Sequence, residues 1–220
     1  MNWEAFWLTV RLAAIVSALL VAIGIPIAYW LTYSRWRWKF LVEAAVALPI
    51  VLPPTVLGYY LLVVLGRHGV IGGWLHNQLG IDLIFTWQAS VIAAAVAAFP
   101  LTLRAASAAF AEVDLQLEHA ARTLGQNETQ VFLRITLPLA WRGVLSGALL
   151  AFARAMGEFG ATLMVAGSLP GRTQTLSIAI YNAVMAGDDD AAQGMVLLSL
   201  IAAVVVLILA ARLLRRRDPQ

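Results

Sequence analysis

Residues 112–142 read EVDLQLEHAARTLGQNETQVFLRITLPLAWR and form the one long polar stretch of an otherwise apolar chain. Apolar segments lie on both sides of it: residues 83–103 carry no charged side chain, and residues 143–167 carry only Arg154 and Glu158. Of the 220 residues, 61% are hydrophobic and 12% are charged, about half the charged fraction of an ordinary soluble domain. The stretch therefore predicts a polar loop that joins two membrane-spanning helices.

The apolar pattern extends over the rest of the chain. Residues 12–34, 44–66 and 191–211 also carry no charged side chain. Each segment is long enough, at about 1.5 Å per helical residue, to cross a hydrocarbon layer of about 30 Å. We predict an all-α, polytopic membrane protein with a single domain, 1–220, and a polar helix-turn-helix loop at about 112–138. Its five transmembrane helices are expected at about 8–34, 44–66, 83–111, 139–167 and 191–213.

Prolines interrupt the first three predicted spans. They are Pro26 in the first span, Pro49, Pro53 and Pro54 in the second, and Pro100 in the third. Each proline removes a backbone donor, so neighbouring groups must satisfy the freed carbonyls. The second helix is therefore expected to be kinked or broken, and Pro53, Pro54 and Thr55 are candidates for the lining of a cavity. Simple fitting of helix shapes is the alternative.

The basic residues indicate which loops face the cytoplasm, because short cytoplasmic loops collect lysine and arginine. Three segments hold ten bases, whereas the other two loops hold only Arg67 and Arg172. The ten are Arg35, Arg37, Lys39, Arg122, Arg134, Arg142, Arg212, Arg215, Arg216 and Arg217. We expect the amino terminus outside and the carboxyl terminus in the cytoplasm. These bases explain the pI near 9.7. Because they lie where anionic lipid headgroups attract them, the high pI does not require a nucleic-acid partner.

Two segments are expected on the external side. Residues 66–87 contain five glycines yet stay apolar in their centre, which is typical of a short interfacial helix or of a surface that docks a partner. Residues 168–190 contain Pro170, Gly171 and an acidic run at 188–190, so we expect a solvated loop there.

The polar stretch has the pattern of two short helices. Four small or apolar residues recur at helical spacing and predict one face of an amphipathic helix; they are Leu117, Ala120, Ala121 and Leu124. Gly125 is expected to stop this helix in a left-handed conformation. Asn127 and Gln130 then predict a capping box for a second helix from about residue 128, which Pro138 is expected to end.

This stretch resembles the coupling loop of binding-protein-dependent ABC permeases, which have the type I importer fold. The usual loop reads Glu-Ala-Ala, three residues, Gly, nine residues, Ile, one residue and Leu-Pro. The spacing matches here except that His119 stands at the usual glutamate position and Glu118 lies one residue earlier. The resemblance implies docking into a groove of a separate ATPase. The implied coupling residues are Glu118, His119, Ala120, Ala121, Gly125, Ile135, Leu137 and Pro138.

Further motifs extend the resemblance over most of the chain, to molybdate permeases in particular, with sulfate and thiosulfate permeases as near relatives. They are LPPTVLGY at 52–59, AFPL at 98–101, LEHAARTLG at 117–125 and AFARAMGEFGAT at 151–162. The resemblance implies a permease of the bacterial inner membrane that imports a tetrahedral oxyanion, with molybdate expected first and tungstate, sulfate or thiosulfate as alternatives. It also implies a homodimer of permeases, two cytoplasmic ATPase subunits and an external molybdate-binding protein.

Charged side chains within the predicted spans are candidates for function, because each costs about 2.5–3.5 kcal/mol on insertion scales. Arg154 and Glu158 are expected on one face of the fourth helix, and Arg104 lies near the inner end of the third. The pair can staple the helices, or it can line the central pathway of the dimer, where arginine attracts a dianion. Small residues at Gly143, Gly147, Gly157 and Gly160 predict close helix packing.

The chain lacks the motifs of ATP hydrolysis and of other catalysis. A P-loop needs G-x-x-x-x-G-K-[ST], and the only lysine is Lys39. His68, His76 and His119 form no H-E-x-x-H motif, and there is no cysteine. We therefore expect no catalytic residue, no metal and no cofactor, and ATP hydrolysis by a partner. A stand-alone carrier or channel is the alternative from another class, and an intramembrane enzyme is a weaker third.

Overall fold

The structure is a computed structural model that describes residues 2–214, which are helical or form short connections and contain no strand. Their helices are α1 Trp3–Tyr33, α2 Lys39–Val51, α3 Pro54–Leu65, α4 Val70–Leu79, α5 Trp87–Ala111, α6 Leu115–Thr123, α7 Glu128–Val131, α8 Leu137–Met156, α9 Gly160–Ala166, α10 Leu176–Met185 and α11 Asp189–Leu214. A π-helical turn, Phe132–Thr136, joins α7 to α8. Arg215, Arg216 and Arg217, which were counted for the orientation, lie outside the described residues.

Five helical segments of the described chain are long and apolar enough to cross a membrane. They are Trp3–Tyr33, Pro54–Leu79, Trp87–Ala111, Glu128–Met156 and Asp189–Leu213. The predicted number of spans is therefore confirmed. The bounds of the second and fourth spans are not as predicted.

The second predicted span, 44–66, is divided into α2 and α3, which confirms the expected break. Two consecutive prolines cause it, because the residue before a proline is forced out of the helical region. Leu52 and Pro53 both precede a proline, and both are extended, with ψ of 134° and 139°. Pro26, Pro49 and Pro100, in contrast, lie inside α1, α2 and α5 without ending them.

The fourth predicted span, 139–167, begins and ends elsewhere. Pro138 does not end the second loop helix, as was expected, because it falls in the first turn of α8, where a missing donor is tolerated. The π-helical turn precedes it, and the N–H of Leu137 bonds to the carbonyl of Phe132, five residues back. The helical segment then runs from Glu128 to Met156, and α9 follows after a break at 157–159.

Both segments that were expected on the external side contain helices. Residues 66–87 include α4, a short helix as expected, which belongs to the second candidate span, Pro54–Leu79. Residues 168–190 were expected to form a solvated loop, but they contain α10, because Leu176 and Ala179 are buried against Ala5 of α1 and Met195 of α11. The acidic run caps α11, since the carboxylate of Asp188 accepts the N–H of Ala191 at 3.0 Å.

Helix α5 lies at the centre of the packing, with α1 and α8 against it. Its buried side chains are mostly alanines, which let neighbouring helices approach closely; they include Ala93, Ala94, Ala95, Ala97, Ala98 and Ala106. One end of α1 lies beside α10, where the hydroxyl of Thr9 accepts the N–H of Leu176 at 2.8 Å. The other end lies beside α6, where Tyr33 contacts Glu118. The loop at 112–127 and the segment at 168–188 are therefore at opposite ends of α1.

The close approach of α5 and α8 predicts a position-dependent effect of the same substitution. A Cβ on Gly143 would lie 2.2 Å from the Cβ of Ala109, whereas a Cβ on Gly194 of α11 meets no atom within 4 Å. Gly143→Ala is expected to destabilise the protein by about 1–3 kcal/mol through overpacking. Gly194→Ala is expected to leave the stability unchanged or to raise it by up to about 1 kcal/mol, because alanine favours helix. Thermal unfolding of both variants in detergent tests this, and equal midpoints would contradict the packing.

Candidate coupling loop and paired helix breaks

The caps of the loop helices agree with the sequence pattern. Asp114 accepts the N–H of Gln116 at 2.8 Å and begins α6. Gly125 follows the end of α6 with φ +85°, as expected for a left-handed helix stop. The capping box is confirmed: Asn127 accepts the N–H of Gln130 at 2.9 Å, and the Gln130 side chain accepts the N–H of Asn127 at 3.1 Å. The predicted helix-turn-helix therefore forms.

The expected amphipathic face of α6 is divided. Leu117 and Leu124 are 49% and 83% exposed, and Ala120 between them is also exposed. Ala121, expected on the same face, is buried. An exposed apolar surface with a small residue at its centre is suited to close contact with a partner.

The residues implied for coupling differ in exposure. Four are exposed, namely His119, Ala120, Gly125 and Pro138. Ile135 and Leu137 are half-buried. Glu118 and Ala121 are buried, and Glu118 is 0% exposed. The structure therefore places Glu118 inside the loop, facing the transmembrane helices, rather than on the surface that a partner would touch.

The Glu118 carboxylate is satisfied by three side chains. Its Oε1 accepts the Tyr33 hydroxyl at 2.8 Å and the Thr136 hydroxyl at 2.7 Å. Its Oε2 lies 3.4 Å from Nη2 of Arg122, which is four residues later on the same helix. The end of α1, the π-helical turn and α6 are thus joined at one buried carboxylate. Neither Tyr33 nor Thr136 was singled out in the sequence, since only the folded chain brings them to Glu118.

Arg122 also joins the two loop helices. Its guanidinium donates to both carboxylate oxygens of Glu128, at 2.8 and 3.0 Å. This bidentate hydrogen bonding with Glu128 raises the pKa of Arg122 above its usual value, with a smaller contribution from Glu118. The turn between α6 and α7 is therefore closed by a fully charged pair.

A second feature lies where two helix breaks meet. The break between α2 and α3 contacts the break between α8 and α9, since a Cβ on Gly160 would lie 2.8 Å from the Cβ of Pro54. Further along the same two short helices, a Cβ on Gly58 would lie 2.7 Å from the Cβ of Met164. Helices α3 and α9 thus pack closely as a pair, and both lie against α5.

Arg154 and Glu158 form an ion pair at this place, although not on one helix as expected, because α8 ends at Met156. Nη1 of Arg154 lies 2.8 Å from Oε2 of Glu158. The other carboxylate oxygen of Glu158 accepts the N–H of Ala161 at 3.0 Å and satisfies the start of α9. The Glu158 side chain is 2% exposed and that of Arg154 is 34% exposed, so only the arginine reaches the surface of the chain.

The other residues proposed for a pathway fall in two places. Pro53, Pro54 and Thr55 are exposed at the first break. Arg104 lines a separate cavity of about 320 Å³ between α1, α2 and α5, whose lining also includes Glu43 but neither Arg154 nor Glu158. Glu43 was not singled out in the sequence, because its place in the same cavity as Arg104 depends on the packing of α2 on α5.

Comparison with known proteins identifies relatives over most of the chain. The family of binding-protein-dependent transport system inner membrane components matches residues 21–220. The molybdenum transport system permease protein ModB of Escherichia coli K12 is 42% identical over 194 residues, which are 87% of this chain and 85% of that protein. The putative molybdenum transport system permease protein YvgM of Bacillus subtilis 168 is 42% identical over 192 residues, 86% of this chain and 83% of that protein.

Solved structures share the fold at low identity. A chain of the MetNI methionine ABC transporter, in an inward-facing conformation, matches with a TM-score of 0.76 and 18% identity over 98% of this chain and 95% of that chain. A chain of a bacterial ABC transporter involved in alginate import matches with a TM-score of 0.78 and 16% identity over 98% and 79%. The chain, with its apolar helices and its capped polar loop, therefore belongs to the family of binding-protein-dependent transport system inner membrane components.

Proposed function

We propose that this chain is the membrane-spanning permease subunit of an ATP-driven importer, and that its substrate is molybdate. The observation that carries the proposal is the similarity to permease proteins of molybdenum transport systems, at 42% identity over 87% of the chain. The loop independently supports the assignment to ATP-driven importers, because no other part of the described chain packs on its exposed apolar surface. Sulfate, thiosulfate and tungstate permeases are the alternatives within the class.

The partners follow from this role. The exposed face of the loop, with Leu117, Ala120 and Leu124, binds a cytoplasmic ATPase subunit, and an external binding protein delivers the oxyanion. The permease acts as a homodimer with two ATPase subunits. Exposed apolar helices support this assembly. Helix α2 has no buried residue, and only 6% of the residues in the most apolar part of α11 are buried. Both helices are therefore available to lipid or to a second copy of the chain. The loop end of α1 faces the cytoplasm.

The paired helix breaks supply the pathway. In a bilayer, broken helices are tolerated where protein or a water-filled cavity covers the freed backbone groups. Here Glu158 is held by Arg154 and by the start of α9, so the partly exposed guanidinium is the group that is free to meet an oxyanion. The neighbouring carboxylate keeps that attraction from becoming too strong for release.

The substrate is tested by uptake in cells that lack their own molybdate importer and express this chain with its ATPase and binding protein. Labelled molybdate is expected to accumulate, with loss of uptake when the ATPase gene is deleted. Uptake of sulfate alone would contradict the substrate and leave the class intact. Molybdate uptake that survives deletion of the ATPase would favour a stand-alone carrier.

The coupling role is tested by two glycines with the same backbone conformation. Gly125 and Gly80 both follow a helix, with φ of +85° and +65°, and neither has an atom within 4 Å of a built Cβ. Valine at either position therefore costs a similar amount, about 1–2 kcal/mol, through left-handed strain. Gly125→Val is expected to abolish transport and the pull-down of the ATPase, whereas Gly80→Val, beyond the opposite end of the membrane segments, keeps both. Equal effects of the two variants would contradict a specific role for the loop.

The pathway role of the ion pair is tested by removing one charge or both. Arg154→Met leaves a buried unpaired carboxylate and is expected to cost about 3–5 kcal/mol of stability. Adding Glu158→Gln removes that charge, while the amide oxygen still accepts the N–H of Ala161, so the double variant is expected to regain much of the thermal stability. Its transport is expected to stay well below wild type. Recovery of transport together with stability would show that the ion pair only stabilises the packing of the helices.

A further inference from the structure

We infer that Glu118 is a positioning residue that fixes the coupling loop to the inner end of α1, so that a displacement of the loop moves the membrane-spanning helices. The inference rests on the proposed function and deepens it. It names the contact through which a conformational change of the ATPase is transmitted to the membrane-spanning helices. A residue on the exposed face of α6 can contact the ATPase but not the membrane-spanning helices. A buried residue on the opposite face contacts those helices, so it can transmit a displacement of α6 to them.

The contacts of Glu118 support this assignment. The Glu118 side chain is fully buried, and a buried carboxyl group is tolerated only when hydrogen bonds satisfy it. Two of its three partners belong to other elements: Tyr33 ends α1 and Thr136 ends the π-helical turn. Hydrogen bonds require a narrow range of distance and direction, which apolar contacts do not, so this link fixes the three elements more closely than apolar contact alone.

The surroundings of Tyr33 carry the link further into the bundle. Its hydroxyl also lies 3.3 Å from the carbonyl of Phe110, in the last turn of α5. Its ring packs on Tyr29, with centroids 4.8 Å apart, and Tyr29 packs on Phe132 of the π-helical turn at 4.7 Å. The ends of α1 and α5 and the start of the fourth span therefore meet around one carboxylate. A π-helical turn lies at this junction, and such turns inside α-helices are frequently found at functional sites.

Tyr29 supplies a matched control for Tyr33. Both rings lie in the same aromatic cluster, one helical turn apart, but only Tyr33 donates its hydroxyl to Glu118. In the described chain no hydrogen bond is formed by the Tyr29 hydroxyl. Tyr33→Phe and Tyr29→Phe thus remove the same atom from the same cluster, and only the first cuts the link.

The experiment uses the complete complex of permease, ATPase and binding protein in lipid vesicles, and it measures molybdate taken up per ATP hydrolysed. Tyr33→Phe and Thr136→Val are each expected to lower this ratio at least about fivefold, with normal assembly and continued ATP hydrolysis. Tyr29→Phe is expected to match wild type. Glu118→Gln keeps an oxygen that accepts both hydroxyls, so its ratio is expected within about twofold of wild type, whereas Glu118→Ala follows Tyr33→Phe.

Three results would overturn the inference. An unchanged ratio in Tyr33→Phe would show that the link transmits nothing. Loss of ATPase assembly in Tyr33→Phe, with normal assembly of Tyr29→Phe, would show that the link only shapes the docking surface. A fall in Glu118→Gln equal to that in Glu118→Ala would assign the effect to the charge pair with Arg122 instead.

A second readout separates this inference from the proposed function. The chain has no cysteine, so a spin label on Gln116→Cys, an exposed position of α6, reports the motion of the loop alone. Tyr33→Phe is expected to increase the mobility of the label, and Tyr29→Phe is not. If the wild-type complex moves no oxyanion but the label responds in this way, the proposed function fails and the positioning role stands. If the complex transports molybdate but the mobility of the label is the same in Tyr33→Phe and wild type, the proposed function stands and the positioning role fails.

Discussion

The structure depends on the close packing of small side chains along α5. Apolar side chains gain little by leaving lipid for a protein interior, so helices in a membrane are held by van der Waals contact at short distance and by hydrogen bonds. Alanines such as Ala93 and Ala98, both 0% exposed, allow that approach, and Gly143 and Gly147 of α8 continue it from the other side. Because α1 and α8 are both fixed on α5, the loop that follows α5 begins from a rigid support. Bulky side chains at these alanine and glycine positions would separate the helices and remove that support from the loop.

The same requirement explains why the two helix breaks lie together. A break within a bilayer frees backbone groups that have no water to bind, so it must be covered. The break at Pro53 and Pro54 frees few donors, because prolines have none, and the break at 157–159 is satisfied by the Glu158 carboxylate. Gly160 lies against Pro54, so the two breaks are in contact, although Pro53, Pro54 and Thr55 remain exposed. The short helices α3 and α9 are therefore packed as a pair from the breaks onward.

Local features were predictable from the sequence, and features that depend on tertiary contact were not. The apolar segments predicted the number of spans but not the bounds of the second and fourth. Gly125, Asn127 and Gln130 predicted the caps, because a cap signal acts within a few residues. The pairing of Arg154 with Glu158 was also predictable from their spacing. The continuation of the helix through Pro138 was not, since it requires a π-helical turn, and α10 was missed because its burial depends on α1 and α11. The inward direction of Glu118 depends on Tyr33, 85 residues earlier.

That direction also gives a physical meaning to the one-residue departure from the usual loop pattern. Successive residues of an α-helix are rotated by about 100°, so positions 118 and 119 cannot serve the same face. His119 stands at the usual glutamate position and is exposed beside Ala120, whereas Glu118 points to the transmembrane helices and is fully buried. The acidic group thus lies on the side of α6 that faces the transmembrane helices and not on its exposed side. Under the proposed function, a partner contacts the exposed side of α6 with His119 and Ala120, and the buried carboxylate acts between the loop and the transmembrane helices.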